Sequence, residues 1–225
     1  GYNRLPNIGA SYPSYLRNTQ TPYLAVGANN GVVHLFNAAT GLEAFGFIPN
    51  SVLPNIAHHA THSGFTYSAD GALSVGDAYQ NGWRRLLMGT TGAGGRSVFA
   101  IQLTPQPQIL WETPLAQHHN LLGYHLTQAP VLAPLPDGRW VVILGNGVRS
   151  PSGSAALLIL DAWTGSLLMH IPVPNVTSAP NGLGAVAVAP NAQGPARYAY
   201  AGDAHGSVWR FDLVNFNAHK ILQTP

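Results

Sequence analysis

Residues 197–213 read R-Y-A-Y-A-G-D-A-H-G-S-V-W-R-F-D-L, and this stretch decides the fold class. Two runs of alternating residues flank the short segment 202–206, which begins and ends with glycine. Alternation with a period of two is typical of β-strands, and glycine accepts the positive φ angle of a tight turn at no steric cost. The stretch therefore predicts an antiparallel β-hairpin.

The same hairpin pattern recurs three times earlier in the chain. It predicts a three-strand meander over residues 23–48 and four-strand units over residues 73–112 and 130–172. Val75, Val131 and Val188 occupy equivalent places, spaced by 56 and 57 residues. A short strand is also expected at residues 7–10, and long loops at 49–70 and 113–128. No helix of normal length is predicted.

Tandem antiparallel units of this kind predict an all-β fold, a β-propeller of four or more four-stranded blades. We expect residues 1–225 to form a single propeller domain or a portion of one, with blades at approximately 1–49, 71–114, 129–174 and 183–225. Four blades can close a small propeller or belong to a larger one. A two-layer sandwich would explain the short strands but not the long repeat.

The composition excludes several functional classes. Only 8% of residues are charged, the formal net charge is +2, and basic residues do not cluster beyond Arg84 and Arg85, so no nucleic-acid surface is predicted. The chain contains no cysteine, which excludes a disulfide scaffold and a thiolate metal site. No apolar run reaches the length of a transmembrane helix.

Several motifs together resemble the C-terminal propeller of the PilC/PilY family of type IV pilus biogenesis and tip-adhesin proteins. The similar segments cover nearly the whole chain in the family's order, at residues 26–41, 75–84, 92–96, 137–147 and 197–213. Each motif alone is a weak signal, whereas five in sequence are specific. The resemblance implies a quinoprotein-like propeller fold.

The resemblance also implies a function. Such proteins support pilus extension and surface adhesion through protein–protein binding and are not enzymes. The implied partners are pilus subunits or minor pilins, and host or surface receptors. The implied location is extracellular, on the bacterial cell surface at the pilus tip or outer membrane. A function taken from a family remains an analogy until the site supports it.

The family pattern has an acidic calcium loop, D-x-D-x-D-G-x-x-D, before the position of Tyr198. In this chain the four acidic positions hold Ala189, Asn191, Gln193 and Arg197. Calcium requires six to eight oxygen ligands, several of them anionic, and an arginine would repel it. We therefore expect that the family calcium site is lost and that the chain binds no cofactor.

The titratable residues do not suggest catalysis. Asp77, Asp161, Asp203 and Asp212 fall at predicted strand ends or turns, where carboxylates accept backbone N–H bonds. The glycine-rich residues 92–96 join two predicted strands, so we interpret them as a hairpin turn rather than a phosphate-binding loop. No catalytic residue is predicted.

Histidines give the one candidate metal site. His58, His59 and His62 place three imidazoles within five residues, and His118 and His119 form a second pair. Zinc would require three or four converging ligands. The predicted loop setting favours solvated side chains over a metal site.

An enzyme from another class remains the alternative. Pyrroloquinoline-quinone-dependent dehydrogenases are also propellers with similar hairpin phrases, such as residues 160–165 of this chain. They require a calcium-held quinone, an acidic base and, in many cases, a vicinal disulfide, whereas this chain has only eight carboxylates and no cysteine.

Overall fold

A computed structural model describes residues 2–18, 21–61, 64–113, 120–126, 128–174, 177–190 and 194–223. Within these ranges, fifteen strands form four antiparallel sheets, and each sheet is built from strands that are consecutive in sequence. This arrangement confirms the all-β fold of successive propeller blades. The first sheet has three strands in the described part of the chain, and each of the other three sheets has four.

The strand bounds are as follows. The first sheet contains β1 (Tyr23–Gly27), β2 (Val33–Asn37) and β3 (Glu43–Phe47). The second contains β4 (Leu73–Tyr79), β5 (Trp83–Thr90), β6 (Val98–Gln102) and β7 (Gln108–Glu112). The third contains β8 (Val131–Pro134), β9 (Trp140–Gly145), β10 (Ala156–Asp161) and β11 (Leu167–Pro172). The fourth contains β12 (Leu183–Pro190), β13 (Ala196–Asp203), β14 (Ser207–Asp212) and β15 (Asn217–Gln223).

The hairpin of residues 197–213 forms as predicted. It consists of β13 and β14, in which Tyr200 pairs with Arg210 and Gly202 pairs with Val208. Gly206 closes the turn with a φ of 79°, which lies in the left-handed region that glycine adopts most readily.

The first strands of the four-stranded sheets lie side by side. β8 contacts β4 on one side and β12 on the other. Val75, Val131 and Val188, which the repeat spacing equates, lie on these three strands. The sheets are therefore arranged around a common axis, with their first strands innermost.

The second and third sheets, which each have a neighbouring sheet on both sides, bury apolar residues on both faces. On β9, the alternate residues Trp140, Val142 and Leu144 join an apolar cluster between the second and third sheets. Val141 and Ile143 join a separate cluster between the third and fourth sheets. A third cluster lies between the first and second sheets. A sheet that is apolar on both faces needs a neighbour on each side, and the stacked blades supply it.

The N-terminal segment differs from the prediction. Residues 7–10 do not form a strand, because Gly9–Ser11 is a 3-10 helix that continues into α1 (Tyr12–Arg17). Pro13 lies in the first turn of α1, where proline is compatible with a helix. The Oγ of Ser11 accepts a 2.9 Å hydrogen bond from the indole of Trp83, which holds this segment against the second sheet.

Residues 49–70 also contain helix where a loop was predicted. A 3-10 helix (Asn50–Val52) leads into α2 (Leu53–Thr61). No residue of α2 is fully buried, although Leu53, Ile56, Ala57 and Ala60 stand at helical spacing in the sequence.

The two ends of the sheets differ because antiparallel strands reverse direction at every turn. Turns after the first and third strands lie at one end, which we call the turn end (residues 80–82, 103–107, 135–139, 162–166 and 213–216). The opposite end, which we call the connector end, collects the turns after the second strands and the described parts of the links between sheets (residues 48–61, 64–72, 91–97, 113, 120–126, 128–130, 146–155, 173–174, 177–182 and 204–206).

The first sheet follows this pattern with one strand fewer. Its turn between β1 and β2 contacts α2, since a Cβ added at Gly31 would lie 2.3 Å from Cδ1 of Ile56. That turn therefore lies at the connector end, as turns after second strands do. Strands β1–β3 thus correspond to the second, third and fourth strands of the later sheets.

Candidate functional site

A glycine lies at the end of the second strand, or its equivalent, in every sheet. These glycines are Gly27, Gly89, Gly145 and Gly202. At two of them the backbone of another segment comes very close: a Cβ at Gly145 would lie 2.3 Å from the carbonyl oxygen of Gly184, near the start of β12. A Cβ at Gly27 would lie equally close to the carbonyl oxygen of Ala69. The end of the second strand, or its equivalent, is therefore packed directly against a connector at Gly27 and against the start of β12 at Gly145.

Asn146 joins three segments of the connector end. Its Oδ1 accepts hydrogen bonds from the backbone N–H groups of Ala156 (3.0 Å) and Leu183 (3.1 Å). Its Nδ2 donates to the carbonyl oxygens of Leu121 (3.1 Å) and Ser154 (2.8 Å). The side chain is 1% exposed, so these bonds are shielded from water. They fix the connector end in one arrangement.

Residues 123–125 are attached to the loop that follows β9. Tyr124 and Val148 exchange two backbone hydrogen bonds of 2.7 and 3.0 Å, and the N–H of Gly123 donates to the carbonyl oxygen of Asn146 at 2.7 Å. The side chain of Tyr124 consequently stands at the surface between the second and third sheets.

Two adjoining cavities, of about 480 and 540 Å³, share Tyr124 as a lining residue. The first extends to Asn55, Gly95 and Arg96, and the second extends to Arg149. We call the combined depression the Tyr124 cleft.

A polar network shapes one wall of this cleft. Glu112 accepts hydrogen bonds from the backbone N–H groups of Asn50 (2.8 Å) and Ser51 (3.3 Å) at the start of the helical segment. Asn55 donates a 2.7 Å hydrogen bond to the carbonyl oxygen of Gly94. Residues 92–96 form a turn between β5 and β6, as predicted, and this network anchors that turn to α2.

Two arginines make the cleft positive. The guanidinium of Arg96 lies 5.4 Å from the ring centroid of Tyr124, within the range of a cation–π interaction. Arg149 is exposed and has a φ of 56°. Neither arginine forms a salt bridge with any other described residue.

A fully buried histidine lies beneath the cleft. His125 donates a 3.0 Å hydrogen bond from Nε2 to the carbonyl oxygen of Gly145, whereas its Nδ1 has no partner in the described part of the chain. Burial lowers the pKa of His125 to about 4, although the bond to Gly145 acts in the opposite direction. The imidazole is therefore neutral at neutral pH.

Two histidines of the predicted cluster, His58 and His59, lie on α2. Nε2 of His59 lies 2.8 Å from the carbonyl oxygen of Thr66, and Nδ1 of His58 lies 3.4 Å from the Thr66 hydroxyl. His62, like His118 and His119, lies outside the described residues. In the ranges that the structure describes, no three histidine or acidic side chains converge as metal ligands.

The positions of the family calcium loop are only partly described. Ala189 pairs with Tyr198 across β12 and β13, whereas Asn191 and Gln193 lie outside the described residues. Arg197 forms a 3.3 Å salt bridge with Asp212, and its guanidinium lies 4.9 Å from the ring centroid of Tyr198. The fourth acidic position of the family pattern is thus held by Arg197, whose positive charge is paired with Asp212.

Three of the predicted turn carboxylates are confirmed. Asp161 accepts hydrogen bonds from the backbone N–H groups of Trp163 and Thr164. Asp212 accepts them from the backbone N–H groups of Val214 and Asn215. Asp203 accepts hydrogen bonds from the backbone N–H groups of His205 and Ser207 and from the indole N–H of Trp209. Burial acts to raise the pKa of Asp203 and Asp212, but these hydrogen bonds outweigh burial and keep both pKa values below the usual range.

Asp77 does not cap a turn, so this prediction was wrong. It lies inside β4, is buried, and receives 2.9 and 3.2 Å hydrogen bonds from the guanidinium of Arg85. The hydroxyls of Tyr12 (2.9 Å) and Tyr15 (3.2 Å) also donate to it. Burial, together with the hydrogen bond to Asp77, raises the pKa of Tyr12 well above its usual range. Asp77 therefore anchors the N-terminal segment.

Among the described residues, no helix combines the length and the apolar character needed to cross a bilayer.

Successive antiparallel sheets around an axis, with long connectors packed at one end, define a β-propeller domain. The family model described as the PilY1 beta-propeller domain matches residues 6–221, and the chain belongs to this family. The resemblance identified from the sequence motifs is thereby confirmed.

Curated relatives and a crystal structure agree with this assignment. The chain is 40% identical over 207 residues to the type IV pilus biogenesis factor PilY1 of Pseudomonas aeruginosa, covering 88% of this chain and 18% of that protein. A PilY1 homolog of Xylella fastidiosa is 36% identical over 208 residues, covering 90% of this chain and 17% of that protein. The crystal structure of the P. aeruginosa PilY1 C-terminal domain superimposes with a TM-score of 0.76 at 39% identity, covering 91% of this chain and 41% of that one. The chain thus spans less than a fifth of these curated relatives.

Proposed function

We propose that this domain supports type IV pilus extension and surface adhesion by binding other proteins. The observation that carries the proposal is the construction of the connector end. Asn146 and the strand-end glycines fix its loops, and an open cleft lies among those loops. Loops held on a rigid scaffold commonly carry binding functions. The relatives named as pilus biogenesis factors supply the biological setting.

The proposed partners are pilus subunits or minor pilins, together with host or surface receptors. The proposed location is the bacterial cell surface, at the pilus tip or outer membrane. We infer a non-catalytic role without cofactor, because the four aspartates considered as candidates serve structural bonds: Asp161, Asp203 and Asp212 hold turns, and Asp77 holds the N-terminal segment.

Genetics on the full-length protein tests this proposal. Deleting the domain should abolish surface pili, and restoring the intact gene should recover them. Substitutions such as Asp77→Ala or Asp203→Ala should reduce piliation only as far as they lower the melting temperature. Normal piliation after the deletion would contradict the proposed function. Lost piliation in an Asp203 variant with an unchanged melting temperature would reveal a binding or catalytic site at that residue.

A further inference from the structure

We propose that the Tyr124 cleft binds an acidic segment of a partner protein, with Arg96 and Arg149 pairing with its carboxylates. This inference rests on the proposed function in protein–protein binding and adds the chemistry of the partner. It concerns only residues at the connector end.

The distribution of charge supports this assignment. The chain has only 10 Lys and Arg residues against 8 Asp and Glu residues. Near the turn end, Arg85, Arg139 and Arg197 each form a salt bridge with an aspartate. Arg96 and Arg149, like Arg4, Arg17, Arg84 and Arg210, form none within the described residues. Arg96 and Arg149 are the two arginines that line the Tyr124 cleft, so their charges are available to a ligand there.

No described carboxylate of the connector end forms a salt bridge with either arginine. Glu112 and Asp203 accept backbone N–H bonds, and Asp70 is exposed without a salt bridge to either arginine. A concave surface lined by one sign of charge concentrates ligands of the opposite sign. The cleft is therefore complementary to an anionic partner.

The arginines are positioned to bind carboxylates. The ring of Tyr124 supports one face of the Arg96 guanidinium, so the N–H groups along its edge can donate to a carboxylate in bidentate geometry. Arg149 adopts a left-handed backbone that is uncommon outside glycine and asparagine, and the paired Val148 beside it holds that conformation in place. Strained residues retained by their surroundings are concentrated at functional sites.

Apolar surface beside the charges favours a peptide over a free anion. Leu126 is 54% exposed at one end of the cleft, and Pro151 lines the other. An extended segment could thus place apolar side chains between its carboxylates. Because hydrogen bonds to Asn146 already order the loops, little conformational freedom would be lost on binding.

Fluorescence anisotropy on the purified full-length protein tests the inference, with fluorescein-labelled poly-glutamate as the ligand and poly-glutamine of equal length as the neutral control. Poly-glutamate should bind, more weakly as salt rises, and poly-glutamine should not. We expect Arg96→Gln to weaken binding about tenfold and the more exposed Arg149→Gln about threefold. Arg17→Gln, which removes the same charge from α1, should leave binding unchanged.

Equal affinity of the wild-type protein and the Arg96→Gln/Arg149→Gln double variant for poly-glutamate would overturn the proposal. Binding of phosphatidylglycerol vesicles but not poly-glutamate, lost in the double variant, would overturn it in favour of a membrane. If Arg96→Gln fails to fold, the exposed Arg149→Gln alone decides the result. The peptide measurement can fail while domain deletion still abolishes pili, so the two proposals are tested separately.

Discussion

The indole N–H of Trp111 donates a 3.0 Å hydrogen bond to the carbonyl oxygen of Ala162. Trp111 lies on β7, the last strand of the second sheet, whereas Ala162 lies in a hairpin turn of the third. The same ring covers Gly165, where an added Cβ would lie 2.5 Å from Trp111. This contact joins two neighbouring blades without a charged group.

Replacing Trp111 should therefore loosen the junction between these blades. Trp111→Phe leaves the buried carbonyl of Ala162 without its donor, and we expect the free energy of unfolding to fall by about 1–3 kcal/mol. Urea denaturation measures the change. Trp163→Phe is the matched control, because it leaves the bond intact. Equal stability of wild type and Trp111→Phe would show that the bond contributes nothing.

Removing the Asp77 carboxylate should release the N-terminal segment. Asp77→Ala leaves Arg85, Tyr12 and Tyr15 without their acceptor, and we expect a loss of about 2 kcal/mol, allowing for the partial solvent exposure of Arg85. Amide hydrogen exchange at residues 2–18 should accelerate. Asp137→Ala, which breaks an exposed pair, should have little effect on either measurement. Unchanged exchange in Asp77→Ala would contradict the anchoring role.

Stability should decrease in mild acid because of His125. The pKa of this residue is about 4 in the folded chain, against 6.5 for the free side chain. Since the unfolded chain binds the proton more readily, the stabilisation is complete above pH 6.5 and is lost as the pH falls towards 4.

Urea denaturation between these pH values measures the loss, which should reach roughly 3 kcal/mol. His125→Gln keeps a donor for Gly145 but does not titrate, so its stability should vary less over the same range. His170, whose pKa is also lowered by burial, remains in both proteins and cancels from the comparison. Identical pH profiles would show that His125 is not the source.

Calcium should not bind to residues 189–197. The four positions that are acidic in the family pattern carry no carboxylate here, and Arg197 is paired with Asp212. Isothermal titration with calcium should give no binding heat, and calcium should not switch pilus extension and retraction through this loop. A micromolar one-to-one heat that disappears in the Asn191→Ala/Gln193→Ala double variant would contradict this prediction.

Local sequence patterns were sufficient for most of the fold. Alternation and glycine turns identified the β13–β14 hairpin, and the turn roles of Asp161, Asp203 and Asp212 followed from their positions after strands. These features involve residues close together in sequence, so a short window contains the whole interaction. The described part of the first sheet has no counterpart of the first strand of the later sheets, and this was likewise visible in the sequence as a meander of three strands.

The candidate site could not be predicted in the same way. Asn146 joins segments around residues 121, 156 and 183, and Asp77 bonds to tyrosines more than 60 residues away. No local period indicates such contacts. Helix α2 was missed although Leu53, Ile56, Ala57 and Ala60 follow helical spacing, because four residues in a nine-residue helix form only a short apolar stripe. The Tyr124 cleft arises only when separate connectors meet.

The hairpin turn between β8 and β9 provides an attachment point for imaging. Gly138 has a φ of 87°, a Cβ added there would meet nothing within 4 Å, and residues 136–139 are exposed. This turn lies at the end of the sheets opposite the Tyr124 cleft. Because the chain contains no cysteine, Pro136→Cys would introduce the only thiol within it. A maleimide dye on that thiol would label the purified domain while leaving the cleft uncovered.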